Sequence, residues 1–165
     1  MGMRFGDQRG MTLAEVIIAV GIIGVGLIAL SAAIPLAAYG IQEGSQLSTA
    51  TFLANQRLEQ VRNATWQASP AVDTLGISAS STSAPVGDGG ATTFVDESPM
   101  AAPYAGYTRR VRVTDCGTGL GCSTIVDSTL RQVTVTVSYR PMTGVGMAPV
   151  STAKSAVVAM YITKR

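Results

Sequence analysis

The stretch RGMTLAEVIIAVGIIGVGLIAL, residues 9–30, contains the start of a long apolar segment and decides how the rest of the chain is interpreted. From Val16 to Ala38 every residue is apolar or glycine except Ser31 and Pro35, and a segment of this length can cross a membrane. An ionised carboxylate, Glu15, stands directly before it. Because an unpaired acidic side chain in hydrocarbon costs about 2.5–3.5 kcal/mol on insertion scales, Glu15 needs a specific explanation.

The composition restricts the classes of function. The chain has 165 residues, of which 47% are hydrophobic and 13% charged, with a net charge of +2. This length leaves room for one domain with a modest core. Histidine is missing from the sequence, which removes the most common general base and metal ligand. With no nucleophile–base pair or ligand cluster in view, the sequence predicts a protein that is not an enzyme and has no cofactor or metal.

The residues alone leave three interpretations of the N-terminal segment. A secretory signal would be cut after the small residues 31–33, although the apolar run is longer than the usual core of about 7–15 residues. An uncleaved membrane anchor would keep the segment but gives Glu15 no role. A cut between Gly10 and Met11 would keep the helix and create a free amine four residues from Glu15.

Residues 10–15, GMTLAE, resemble the processing signature of type IV prepilins and type II secretion pseudopilins. That signature is a short basic leader ending in glycine, then a hydrophobic residue or Met, Thr, Leu, a variable position and Glu, followed by a long apolar helix. The resemblance implies that prepilin peptidase removes the leader, residues 1–10, at the cytoplasmic face and N-methylates Met11. Gly10 and Met11 are therefore the expected processing residues, with Met11 replacing the more common Phe.

The same resemblance gives Glu15 a role in subunit docking. A carboxylate and a methylated amine are each costly alone in a low-dielectric bundle and far less costly as a pair. Glu15 of one subunit would meet the Met11 amine of a neighbour and set the axial register of a filament. The implied partners are other pilin or pseudopilin subunits, the inner membrane and its assembly platform.

The apolar helix is expected to continue as an amphipathic one. We assign residues 11–38 to a transmembrane and filament-core helix and residues 39–66 to its continuation, which ends before Pro70. Apolar residues recur at spacings of three and four, as expected for one buried helix face. They are Leu47, Ala50, Ala54, Leu58 and Val61. The stretch ATFLANQRLEQVRN, residues 50–63, also resembles the minor-pilin and minor-pseudopilin branch of the family.

The remainder predicts an α+β fold. Residues 67–106 are rich in Ala, Ser, Thr, Gly and Pro and are expected to form a variable loop with one short strand. Residues 107–165 alternate apolar and polar positions, which predicts a small antiparallel sheet of three to four strands packed on the long helix. Four acidic residues of the loop match no calcium-loop spacing, so we expect them to be solvated. They are Asp73, Asp88, Asp96 and Glu97.

Two features of the sheet region bear on function. Cys116 and Cys122 enclose a glycine-rich loop, and in an exported domain they are expected to form a disulfide, with two free thiols as the alternative. Arg109, Arg110 and Arg112 belong to a region with eight basic and two acidic residues, which makes DNA or a partner surface a candidate ligand. DNA binding is the less favoured interpretation, because no aromatic platform accompanies these arginines in the sequence.

The sequence thus predicts a minor subunit of a type IV pilus-like filament, incorporated into the filament or priming its assembly. A minor pseudopilin of a type II secretion system is the first alternative, and a filament-tip module that binds DNA or a surface is the second. The resemblance implies an inner-membrane precursor with a cytoplasmic leader and a periplasmic C-terminal domain, and then a periplasmic or extracellular filament.

Overall fold

The computed structural model describes residues 11–118, 122, 124–141 and 153–165. In these residues one α-helix, α1 (Leu13–Arg62), is followed by short and long strands in the order β1 (Trp66–Gln67), β2 (Val72–Asp73), β3 (Ile77–Ser78), β4 (Pro85–Val86), β5 (Tyr107–Asp115), β6 (Leu130–Tyr139) and β7 (Lys154–Thr163). The chain divides after Ile41 into two compact units.

The first unit consists, where it is described, of the apolar half of α1. Its most apolar window of 18 residues has a mean hydropathy of 2.7, and none of that window is buried. Among the described residues, α1 is the one helix long and apolar enough to cross a membrane. A helix that is hydrophobic all round is suited to hydrocarbon or to a bundle of other helices.

The second unit begins at Gln42 and contains the core. The second half of α1 buries Ala50, Leu53, Ala54 and Val61, whose spacing places them on one helix face. They pack with the valines of the inner sheet face, which are Val111, Val113, Val133, Val135 and Val137. This arrangement confirms the predicted α+β fold. Leu47, which we expected on the buried face, is 46% exposed, and Leu53 is buried instead.

The main sheet has three antiparallel strands in the order β5-β6-β7. Val135 lies at its centre, opposite Val111 on β5 and Val158 on β7. The three strands expected from the sequence at residues 107–114, 132–139 and 156–163 are all present, and each is one or two residues longer than expected. Burial alternates along β6 with a period of two, so the outer face of this strand consists mainly of half-buried polar residues.

The end of α1 and the segment that joins it to the main sheet, residues 67–106 (the connector), differ from expectation. Helix α1 ends at Arg62, four residues before the expected end at Trp66. Trp66 instead begins β1, because the Thr74 N–H donates to the Thr65 carbonyl at 2.8 Å and opens a two-stranded ladder. Residues 67–106 contain two small antiparallel pairs, β1-β2 and β3-β4, where one short strand was expected.

Gly76 sets the close approach of these two pairs. Its φ of +73° lies in the left-handed region, and a Cβ built there would lie 2.7 Å from the carbonyl carbon of Val86. Backbone atoms of β4 cannot move away as a flexible side chain would. Gly76 is therefore required both by its conformation and by the space available.

Gly76→Ala should lower the free energy of unfolding by about 2–4 kcal/mol, combining left-handed strain with a backbone clash. The measurement is the melting temperature of the detergent-solubilised chain. Gly89 has a φ of +72° and open space around it, so Gly89→Ala introduces left-handed strain without a clash. It should lower the free energy of unfolding by about 1–2 kcal/mol. Gly106→Ala, with neither feature, should be neutral. Equal effects at Gly76 and Gly106 would contradict this account.

Candidate subunit-assembly site

The first turn of α1 contains a reciprocal capping pair. Thr12 Oγ1 accepts the backbone N–H of Glu15 at 3.3 Å, and Glu15 Oε2 accepts the backbone N–H of Thr12 at 3.4 Å. This is a capping box, in which an N-cap Thr and a Glu three residues later satisfy two backbone donors that the helix leaves unpaired. The negative charge also lies at the positive end of the helix dipole.

The capping box fixes where the Glu15 carboxylate points. It reaches back to the Thr12 N–H, so it lies beside the residue that follows Met11. Met11 itself is 73% exposed. Gly10, the other expected processing residue, lies outside the described residues. Glu15 is thus held at the end of the helix where an amine on Met11 would form.

The helix surface beyond Glu15 is open on every side. Large apolar side chains from Leu13 to Ile41 are exposed around the whole circumference. A Cβ added at Gly21, Gly24 or Gly26 would meet no atom of the described residues within 4 Å beyond its own stretch of helix, so the helix is narrow and accessible there. Small residues of this kind let apolar helices approach closely.

The sheet arginines occupy three different environments. Arg109 is 7% exposed on the inner face of β5. Its Nε and Nη2 donate to the two oxygens of Glu97 at 2.9 and 3.0 Å, and its Nη1 donates to the Leu53 carbonyl at 3.2 Å. Arg109 therefore joins the sheet, the connector and the helix.

Arg112 lies on the opposite face of β5 and holds the connector from that side. It forms a two-pronged pair with Asp96, with both N–O distances at 2.7 Å, and also donates to the carbonyls of Ser81 and Thr82. Hydrogen bonding to Arg112 lowers the pKa of the Asp96 carboxyl, and Asp96 in turn raises the pKa of Arg112. The charge of Arg112 is already compensated within the chain.

Arg110 is the exposed member of the three. It points to the outer face of β5 and lines an open cavity of about 660 Å³ together with Arg140. The expected arginine surface is therefore not contiguous, because Arg109 and Arg112 are engaged internally while Arg110 remains accessible.

A fourth arginine, Arg131 on β6, was not singled out from the sequence. It is buried, donates to Asp73 at 2.8 Å and stacks 4.0 Å above the Trp66 ring. The sequence did contain a signal for this role of Arg131, namely the acidic residues that we expected to be solvated. Asp73 pairs with Arg131, and Asp96 and Glu97 pair with other arginines of the sheet. The expectation of solvation is wrong for these three carboxylates.

The two cysteines lie at the end of β5. Cys116 and Cys122 are both buried and are joined by a disulfide with a Cα–Cα distance of 5.2 Å. The Asp127 N–H donates to the Cys116 carbonyl and the Ile125 N–H to the Cys122 carbonyl. The bridge and these bonds fasten the connection that leads into β6.

Arg109→Ala should lower the free energy of unfolding by about 3–5 kcal/mol, because it leaves Glu97 without its closest buried partner. Arg110→Ala, an exposed neighbour on the same strand, should change it by less than about 0.5 kcal/mol. Thermal or denaturant unfolding of the two variants measures the difference. A mild effect at Arg109 would contradict its role in joining helix, sheet and connector.

The Asp96–Arg112 pair should make stability depend on acid pH. Because the folded-state pKa of Asp96 lies below its ordinary value of 3.8, the stabilisation is present above that value and is lost as the pH falls through the lowered folded pKa. The unfolding temperatures of the wild type and Asp96→Asn should therefore differ at neutral pH and converge at low pH. Arg112→Gln should reduce the same pH dependence. Parallel curves would contradict the assignment.

The N-terminal signal also matches a known family. A family model described as the prokaryotic N-terminal methylation motif matches residues 6–31. Comparison of the chain with curated proteins and with solved structures gave no significant match. The matched residues include the Gly10–Met11 bond and Glu15. Residues 6–31 are thus a type IV prepilin-like signal, the signal of the prepilin and pseudopilin family.

Proposed function

We propose that this protein is a minor subunit of a type IV pilus-like filament, cut between Gly10 and Met11 and assembled through its first helix. The observation that carries the proposal is the methylation motif at residues 6–31, followed by a helix whose apolar side chains are exposed on all sides. Such a surface is stable in hydrocarbon before assembly and in a bundle of like helices afterwards. The protein is proposed as a structural subunit and not an enzyme.

The capping box supports a specific docking mechanism. In the single subunit, the Glu15 carboxylate is partly satisfied by the Thr12 N–H at 3.4 Å. A carboxylate has about four acceptor positions, so it can keep this bond and also accept a cationic amine. Methylated Met11 of a neighbouring subunit supplies that amine, and an unpaired cation in the apolar bundle would be costly. Thr12 then positions the charge, and Glu15 selects the axial register.

The same helix serves pili and secretion pseudopili, so a minor pseudopilin of a type II secretion system is the alternative within the family. The resemblance of residues 50–63 to the minor branch favours a minor subunit in either system. A filament-tip module that captures DNA has weaker support, because Arg109 and Arg112 are paired with carboxylates and Arg110 is left as the accessible arginine of the three. A neighbouring retraction ATPase gene would favour the pilus, and a complete secretion operon the pseudopilus.

Glu15→Gln and Glu15→Ala separate docking from helix capping. Gln at this position preserves the reciprocal cap but removes the charge, whereas Ala removes both. If the charge docks the subunit, both variants should be processed to a chain that begins at Met11 yet remain in the inner membrane. Intact-mass analysis identifies the start, and shearing followed by fractionation measures the share in filaments, for which we expect a loss of at least tenfold.

Thr12→Ser, which keeps the capping hydroxyl, is the matched control and should be incorporated normally. Normal incorporation of Glu15→Gln would contradict charge docking and leave capping as the role of Glu15. A mature chain that begins at Met1, or after residue 33, would contradict the prepilin assignment itself.

A further inference from the structure

The two edge strands of the main sheet, β5 and β7, differ in how their outer backbone groups are paired. The outer edge of β5 is covered, because Arg109 exchanges backbone hydrogen bonds with Glu97, the Met100 N–H donates to the Tyr107 carbonyl, and Ser78 Oγ accepts the Val113 N–H. Between Ser155 and Thr163, no backbone hydrogen bond joins the outer edge of β7 to another described segment. Within the described residues, the sheet therefore has one protected edge and one open edge.

The direction of the β7 backbone groups follows from one hydrogen bond. The Lys164 N–H donates to the Thr129 carbonyl, so Lys164 faces β6. Because hydrogen-bonded and outward-facing residues alternate along an antiparallel strand, the outward set is every second residue before it. These residues are Ser155, Val157, Ala159, Tyr161 and Thr163, and all five are exposed. Arg165, the next in this series, is already bonded to Trp66 and Ala68, which closes the edge at that end.

The free part of β7 lacks the features that normally protect an edge. Residues 155–163, SAVVAMYIT, contain no charge, no proline and no glycine. Natural edge strands are usually short, charged, interrupted by bulges or covered. Val157 and Tyr161 are 59% and 46% exposed on the outer face beside this edge, where the side chains of an added strand would contact them.

A basic cavity adjoins the C-terminal half of the open edge. Its volume is about 180 Å³, and Arg62 and Arg165 lie in its wall together with Tyr161 and Thr163 of β7. With the described carboxylates, Arg62 makes a single ion pair, an exposed and weak contact at 3.5 Å with Glu59. A carboxylate at the end of an added strand would therefore meet two guanidinium groups.

We propose that the outer edge of β7 binds an extended, mostly uncharged segment of a different protein by strand addition, with an acidic side chain of that segment between Arg62 and Arg165. A second copy of β7 does not fit this description, because Lys154 is its one charged residue and it has no carboxylate to place in the cavity. In full-length antiparallel pairing it would also set Lys154 against Lys164, and like charges directly opposite are destabilising. The proposal does not depend on the filament function.

The test uses the detergent-solubilised full chain and a labelled seven-residue probe peptide that alternates Val and Thr between terminal Asp residues. Fluorescence anisotropy should show that it binds at least tenfold more tightly than the same peptide with terminal Lys residues. Hydrogen exchange of residues 154–163 should slow when the acidic peptide is bound, because outward N–H groups of β7 become paired. A version with proline at its centre should not bind.

Substitutions in the chain locate the binding. Ala159→Pro removes one outward N–H at an exposed edge position and should lower affinity at least tenfold, while Ala159→Ser should not. Arg165→Gln should lower the affinity for the acidic peptide several-fold, and Arg110→Gln, an exposed arginine elsewhere, should leave it unchanged. Absence of binding, equal affinity for the acidic and basic peptides, or self-association abolished by Ala159→Pro would each overturn the proposal.

Discussion

The architecture of the second unit depends on the hydrogen bonds of the buried Arg109 side chain. Its guanidinium group donates to the Leu53 carbonyl on α1 and to the Glu97 carboxylate in the connector. The backbone of Arg109 also pairs with that of Glu97. Arg57 on α1 contacts the same carboxylate at 3.5 Å, and burial lowers the pKa of Arg57 while Glu97 opposes that change. One carboxylate thus compensates two cations, and removing it would leave both without compensation in a poorly solvated site.

This charge pairing explains how a polar connector is held without a large core of its own. Arg131, Arg112 and Arg109 each bind a different carboxylate of the connector, from Asp73 to Glu97. Burial of Leu75 and Trp66 adds apolar contacts at one end of this segment. The arginines project from a sheet that is rigid through its backbone ladder, so each pair fixes a point of the connector in space.

The α+β fold and its strands could be predicted because their signals are periodic and local. The alternation along residues 132–139 and the 23-residue apolar run each determine one kind of element. The ion pairs could not be predicted, because Arg131 and Asp73 are 58 residues apart and their pairing depends on sheet register. At the N-terminus, Thr12 and Glu15 have the T-x-x-E spacing of a capping box, but the same two residues belong to the processing signature, so their spacing alone does not separate the two roles.

The contrast between the two sheet edges follows from the same distribution of charge. Three of the four carboxylates of the connector are bound by arginines of β5 and β6, and this draws the connector over the β5 edge. Strand β7 has no arginine and one lysine, Lys154, which pairs with Glu43 on α1. Nothing on residues 155–163 can attract an acidic segment of the described chain by charge. An edge left open in this way keeps its backbone donors and acceptors available, and Arg165 borders the cavity at its C-terminal end.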